Sequence, residues 1–209
     1  MYINPENGSP VFIIHDCLTL EKRQEIIERY KDRTVLGTHQ STDKQSNDKR
    51  NSNVHFIQDS PNISKMLTYY MKIGNHLTGY NYNLTASEMP QFTCYGKTQH
   101  YNYHVDSDSH IGREFVFNLP KENNLAYTDN VDLIDTVRKM SCSLILNDDY
   151  KGGEFCTKIL VEGEVVEHTI PAKAGDILIF PSNITHCVKP ITKGIRYSLV
   201  MWAAGPTFK

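Results

Sequence analysis

His104 and Asp106 lie two residues apart, His186 follows far downstream, and Arg196 comes ten residues after it. Two imidazoles and one carboxylate form a donor set that holds Fe(II) on one face and leaves the opposite positions open for substrate and O2. An arginine on a neighbouring strand could anchor a dicarboxylate against that metal, because the planar guanidinium makes two parallel hydrogen bonds to a carboxylate. Alone, His104-Val105-Asp106 is a weak signal. With nine histidines and thirteen aspartates among 209 residues, one such triplet is expected by chance about half the time, and its plain reading is a polar pair at a strand end. The combination with His186, after the run AGDILIFPSNITH, and with Arg196 on the next strand raises its weight.

Strands must position these residues. Side chains alternate along a strand with period two, so His104 and Asp106 would share a face. Within residues 195–202, Arg196, Ser198, Val200 and Trp202 fall on one face, and Tyr197, Leu199 and Met201 on the other. An arginine pointing inward beside valine and tryptophan is costly without an anionic partner, and a bound carboxylate would supply one. The plain alternative puts Arg196 on the outer face, solvated or salt-bridged. From Met89 onward, short β-rich runs punctuated by turn residues predict strands at 91–95, 101–105, 141–146, 154–159, 165–170, 176–180, 185–188 and 195–203. Eight short strands suit a jelly roll.

The first third reads differently. Thr19 is a candidate cap for a helix carrying Leu20, Ile26, Ile27 and Tyr30, after the apolar run 11–14. A second helix is expected after Pro61, with Ile63, Met66, Leu67, Tyr70, Ile73 and Leu77 on one stripe and Gly79 as its stop. Both stripes should pack on a sheet. The polar stretch 38–53 reads as a loop whose cations are solvated, with a place at the border of a substrate site as the functional alternative. Residues 107–140 form a long insertion between the motif blocks. Val131, Leu133, Ile134 and Val137 suggest a short amphipathic helix there, and the stretch is either a substrate lid or decorative. Gly152-Gly153 reads as a turn leading into a strand. His100, Asp108 and His110 read as polar neighbours of the motif.

Composition narrows the class. A length of 209 residues fits one domain: a helical support over 1–88, a jelly-roll core over 89–205, and the 107–140 insertion. The fold class expected is thus mainly β with flanking helices, a double-stranded β-helix. A net charge of −2 gives no bulk attraction to nucleic acid or anionic membrane. Without a signal-like N-terminus or an apolar run of spanning length, a cytoplasmic protein is expected. Five cysteines without CxxC spacing suggest neither a disulfide framework nor structural zinc.

The run CYGKTQHYNYHVD (94–106) resembles the opening of the catalytic core of prolyl hydroxylases within the 2-oxoglutarate and Fe(II)-dependent oxygenase superfamily. RKMSCSLILNDDYKGGEF and AGDILIFPSNITHCVKPITKGIRYSLVMWAAG are similar to later blocks of that family, in the same order, with the PKHD-type bacterial and phage branch the nearest in character. The resemblance covers residues 91–205 well and the N-terminal third only in outline. It implies His104, Asp106 and His186 as iron ligands and Arg196 as the anchor of the distal carboxylate of 2-oxoglutarate. It also implies Tyr95 in the cosubstrate pocket, Ser198 as a further donor to that carboxylate, and Trp202 as an aromatic near the metal. Tyr95 and Trp202 equally suit plain core aromatics, and Tyr101, three before His104, has no assigned role.

The reaction the resemblance implies uses Fe(II), 2-oxoglutarate and O2, with ascorbate as reductant. It hydroxylates an unactivated C–H bond and releases succinate and CO2. A peptidyl proline in a peptide or protein is the favoured substrate, and a free amino acid or other small molecule is the alternative. A catalytically silent metal-binding jelly roll is the competing non-enzymatic reading. The intact Arg196 argues against it, because such a module needs no cosubstrate anchor.

Overall fold

The computed structural model describes residues 3–4, 8–37, 49–107, 110–111, 133 and 136–207. In chain order it has β1 (Phe12–Ile14), α1 (Leu20–Tyr30), a 3-10 turn (Lys31–Arg33), β2 (Val35–Leu36), β3 (Arg50–Asn51), β4 (Asn53–Phe56), α2 (Pro61–Leu77), β5 (Ala86–Ser87), β6 (Gln91–Tyr95), β7 (His100–His104) and β8 (His110–Ile111). There follow β9 (Thr136–Ile145), β10 (Lys151–Gly152), β11 (Phe155–Val161), β12 (Glu164–Thr169), β13 (Ile177–Pro181), β14 (Thr185–Val188), β15 (Ile191–Lys193) and β16 (Arg196–Pro206). A nine-stranded sheet runs β1-β13-β9-β16-β6-β4-β2, with β5 on β16 and β8 on β9. A five-stranded sheet runs β12-β11-β14-β7-β3, and β10 pairs with β15. All pairings are antiparallel, giving the jelly roll that the strand pattern predicts.

Alternation sorts the large sheet into two faces. Phe92, Cys94, Met140, Cys142, Leu144, Ile177, Ile179, Leu199 and Met201 pack with Ile26 and Tyr30 of α1 and Ile63, Leu67 and Met71 of α2. The other face carries Tyr95, Leu178 and Phe180, which pack with Phe155, Val188 and Ile191. The positions between, Gln91, Thr93, Ser141, Ser143, Arg196 and Ser198, are buried and polar. A polar wall inside a sandwich costs stability unless it serves a ligand or internal bonds. The helices explain why the sheet can afford it, since its apolar burial is concentrated on their side.

Both helices form as expected. Thr19 accepts the backbone N–H of Lys22 at 3.4 Å, and Glu21 and Arg29 complement the dipole. Leu20, assigned to the buried stripe, is instead 54% exposed, and Leu77 is 62% exposed: Leu20 is the first residue of α1 and Leu77 the last of α2. Gly74 lies at the contact itself, where a Cβ would come 2.8 Å from Ile179. The helix stops at Thr78, before Gly79 at φ +69°.

The N-terminal third also supplies β1, β2, β3 and β4, which the helical pattern had hidden. Strand β9 begins at Thr136, five residues earlier than expected, and it absorbs Val137 from the expected amphipathic helix. The reason is tertiary pairing: Thr136 and Val137 oppose Pro206 and Gly205 on β16, so their backbone groups are satisfied by the ladder. Val131, Ile134, most of the 107–140 insertion with its lid reading, and most of the 38–53 loop lie outside the described residues. The described end of that loop is ordered, with Arg50 in β3 opposite Tyr101. No described helix is long and apolar enough to cross a membrane.

Candidate metal centre

Strands β7 and β14 set His104 directly opposite His186, and Asp106 follows β7 at its open end. The three donor groups lie within 4.8 Å of one another. His104 Nε2 is 3.5 Å from Asp106 Oδ1, and His186 Nε2 is 3.6 Å from Asp106 Oδ2. Each Nδ1 lies 2.8 Å from a backbone carbonyl, that of Asn102 for His104 and that of Ile184 for His186. A carbonyl only accepts, so each Nδ1 is the donor, and in the neutral ring the lone pair sits on Nε2, aimed at the cluster. The rings are also fixed sideways. His104 stacks on Tyr101 at 3.5 Å and 12°, and His186 lies between Phe155 and Phe180 at 5.4 and 4.8 Å.

The electrostatics favour a cation. Burial alone would raise the Asp106 carboxyl. At the acid pH where it would titrate, the protonated His186, the hydrogen bond and charge of a protonated His104, and Arg138 outweigh burial and hold it well below the usual carboxylate range. Burial pushes His186 down to about 4, against the pull of Asp106. A neutral imidazole beside an ionised carboxylate is what a divalent metal requires. The donor set therefore fits Fe(II), with oxygen and nitrogen ligands and no thiolate.

Arg196 is 2% exposed, on the inner face that alternation predicts. It donates from Nη1 to Ser198 Oγ at 3.1 Å, and its guanidinium lies 5.8 Å from the centre of the Tyr95 ring. Its Nε is buried with no acceptor, and no carboxylate partner is found among the described residues. That orphaned donor fits a dicarboxylate. Gly153 walls the same spot: at φ +69°, its missing Cβ would meet Ile191 and lie 3.2 Å from Arg196 Cδ. Sequence reasoning gave Gly153 a turn role alone.

Trp202 lies at the other end of the site. Six residues of strand place it about 20 Å from Arg196, opposite Ser141, at the Asp106 side of the site and not with Tyr95 and Ser198. The Arg138 guanidinium lies 4.1 Å over its ring and is clamped by the buried carboxylate of Glu88, from Nε to Oε1 and from Nη2 to Oε2 at 2.6 Å. The Trp202 Nε1 is buried without an acceptor. Arg50 stacks on Tyr101 at 4.9 Å and donates to Ser52 Oγ at 2.8 Å, so it borders the site and is not the solvated cation expected. His100 Nδ1 reaches the Thr98 carbonyl at 3.2 Å. The side chains of Asp108 and His110 lie outside the described residues.

A family model, the 2OG-Fe(II) oxygenase superfamily, matches residues 90–204. The chain belongs to this superfamily. Its relatives include a PKHD-type hydroxylase of Xylella fastidiosa (strain 9a5c), 32% identical over 116 residues, which are 54% of this chain and 43% of that protein. One from Janthinobacterium sp. (strain Marseille) is 32% identical over 54% of this chain and 42% of its own length. These matches thus span less than half of the curated relatives. Among solved structures, a Pseudomonas putida prolyl-4-hydroxylase superposes with a TM-score of 0.61 at 19% identity, covering 94% of this chain and 93% of its own. A prolyl hydroxylase from Trichoplax adhaerens, in complex with a hypoxia inducible factor peptide fragment, gives 0.62 at 18%, covering 93% and 83%. PKHD-type hydroxylases and prolyl hydroxylases are thus what the chain is similar to, and the superfamily's name carries the Fe(II) and 2-oxoglutarate that the donor set fits.

Proposed function

We propose that this chain, acting as a single domain, is a 2-oxoglutarate-dependent dioxygenase that hydroxylates a prolyl residue in a peptide or protein. The observation that carries the reading is the pairing of a His-Asp-His cluster with a buried arginine that has no acidic partner among the described residues. His104, Asp106 and His186 would hold Fe(II), and Arg196, with Ser198 beside it, would pair with the distal carboxylate of 2-oxoglutarate. Tyr95 lines that end of the pocket. Bound there, Fe(II) and 2-oxoglutarate supply the O2-dependent oxidising power that converts a C–H bond to an alcohol with release of succinate and CO2. Ascorbate would keep the iron reduced. The Asn102 and Ile184 carbonyls keep the proton on each Nδ1, Phe155 and Phe180 exclude water from His186, and Trp202 with the neutralised Arg138–Glu88 pair offers a flat wall at the other side.

The prolyl reading is supported by the solved prolyl hydroxylases of the same fold. It is tested by succinate release with prolyl peptides against a panel of free amino acids and small acids. Turnover with a peptide but not with free proline supports it. Turnover confined to a small molecule would replace it with the small-molecule hydroxylase, leaving the metal site unchanged.

A further inference from the structure

Asp106 reaches the site through two buried serines. Ser141 Oγ lies 2.7 Å from Asp106 Oδ2 and 2.9 Å from Ser182 Oγ, and both serines are fully buried. A carboxylate oxygen only accepts, so the Ser141 hydroxyl must donate to Asp106. Its one proton is then used, and the Ser182 hydroxyl must donate to Ser141. The order is fixed: Ser182 to Ser141 to Asp106. Ser182 holds the other side of the same residue, because its carbonyl accepts the N–H groups of Asp106 at 2.8 Å and Ser107 at 3.0 Å, while its own N–H donates to the Lys139 carbonyl at 3.0 Å. Ser141 is anchored in turn in the middle of the large sheet, between Phe180 and Trp202. The side chain and the backbone of Asp106 are thus both held by the same pair of serines.

We propose that Ser141 and Ser182 form a positioning relay that holds Asp106 through its Oδ2 and so fixes the orientation of this carboxylate toward the metal. The proposal rests on the reading of His104, Asp106 and His186 as the ligands. Each link is short and buried, where chained hydrogen bonds strengthen one another, and partners behind a ligating carboxylate tune metal affinity. Without the Ser141 hydroxyl, Oδ2 loses that bond and the carboxylate can rotate out of the orientation it holds between His104 and His186.

The test is Co(II) binding to the full chain, followed by visible absorption, for wild type, Ser141→Ala, Ser141→Thr and Ser182→Ala. Ser141→Ala should weaken Co(II) about tenfold and change the d–d band intensity as the carboxylate reorients. Ser141→Thr should restore both, and Ser182→Ala should shift both in the same direction by less. A role confined to folding would lower thermal stability alone, so a Ser141→Ala protein with wild-type spectrum and affinity overturns the relay. If Ser141→Ala does not fold, an unchanged Ser182→Ala spectrum overturns it instead. Wild type that binds no Co(II) would overturn the ligand assignment, and the relay with it.

Discussion

Replacing Arg196 by Met separates the cost of burying a cation from the benefit of binding a dicarboxylate. In the free protein, the guanidinium is 2% exposed, with one hydrogen bond to Ser198 and Nε without an acceptor. A buried charge without a counter-ion destabilises, and an apolar side chain of similar volume often gains about 1–4 kcal/mol. For a chain of this length that is a melting temperature higher by roughly 2–4 °C per kcal/mol. The ligand tells the opposite story. A two-pronged bond to a carboxylate combines two charge-assisted hydrogen bonds of about 1.5–3 kcal/mol each, so losing both weakens 2-oxoglutarate at least ~100-fold. The assay is circular dichroism melting of the metal-free protein, beside calorimetric titration of 2-oxoglutarate into the Mn(II)-loaded protein. Affinity within threefold of wild type, or a variant that melts well below wild type, would refute the assignment of Arg196 as the anchor.

Further outcomes follow from the same geometry. Glu88→Ala removes the carboxylate that clamps the buried Arg138 and should cost about 3 kcal/mol in chemical denaturation. The Glu88→Leu/Arg138→Met double variant should recover much of it, and a double variant less stable than the single would contradict this. His186 titrates at about 4 when folded against an ordinary value of 6.5. The metal-free folded state therefore binds fewer protons than the unfolded one in that window, and its contribution of about 3 kcal/mol is complete above pH 6.5 and lost as pH falls toward 4. Melting between pH 7 and 4.5 should show that slope in wild type and a flatter one in His186→Asn. Gly153→Ala forces a left-handed backbone and crowds Arg196, so it should weaken 2-oxoglutarate and lower stability by about 1–2 kcal/mol. Unchanged calorimetric binding would show that Arg196 does not lean on this turn.

Much of the site was legible in the sequence because it follows from period two. The alternation along 195–202 placed Arg196 and Ser198 inward and Leu199 and Met201 toward the helices, as found. The same rule applied to RKMS would have turned Ser141 inward with Ser143, but a lone serine in a strand carries no chemical signal until Asp106 is seen beside it. Glu88, Arg138 and Arg50 were missed for a related reason. Each acts through a partner far off in sequence, and charged residues at strand ends look the same whether solvated or buried. The short strands β2, β3 and β4 were hidden because edge pairing, not local apolar pattern, makes them strands. The misjudged start of β9 has the same origin.

We propose that His104, Asp106, His186 and Arg196 make one working site for Fe(II) and 2-oxoglutarate. Anaerobic visible absorption of the purified chain with both added tests it most directly. A charge-transfer band that is absent in His104→Ala, and that needs far more 2-oxoglutarate in Arg196→Met, is the result expected. A folded wild-type chain that shows no band at saturating Fe(II) and 2-oxoglutarate would contradict the account.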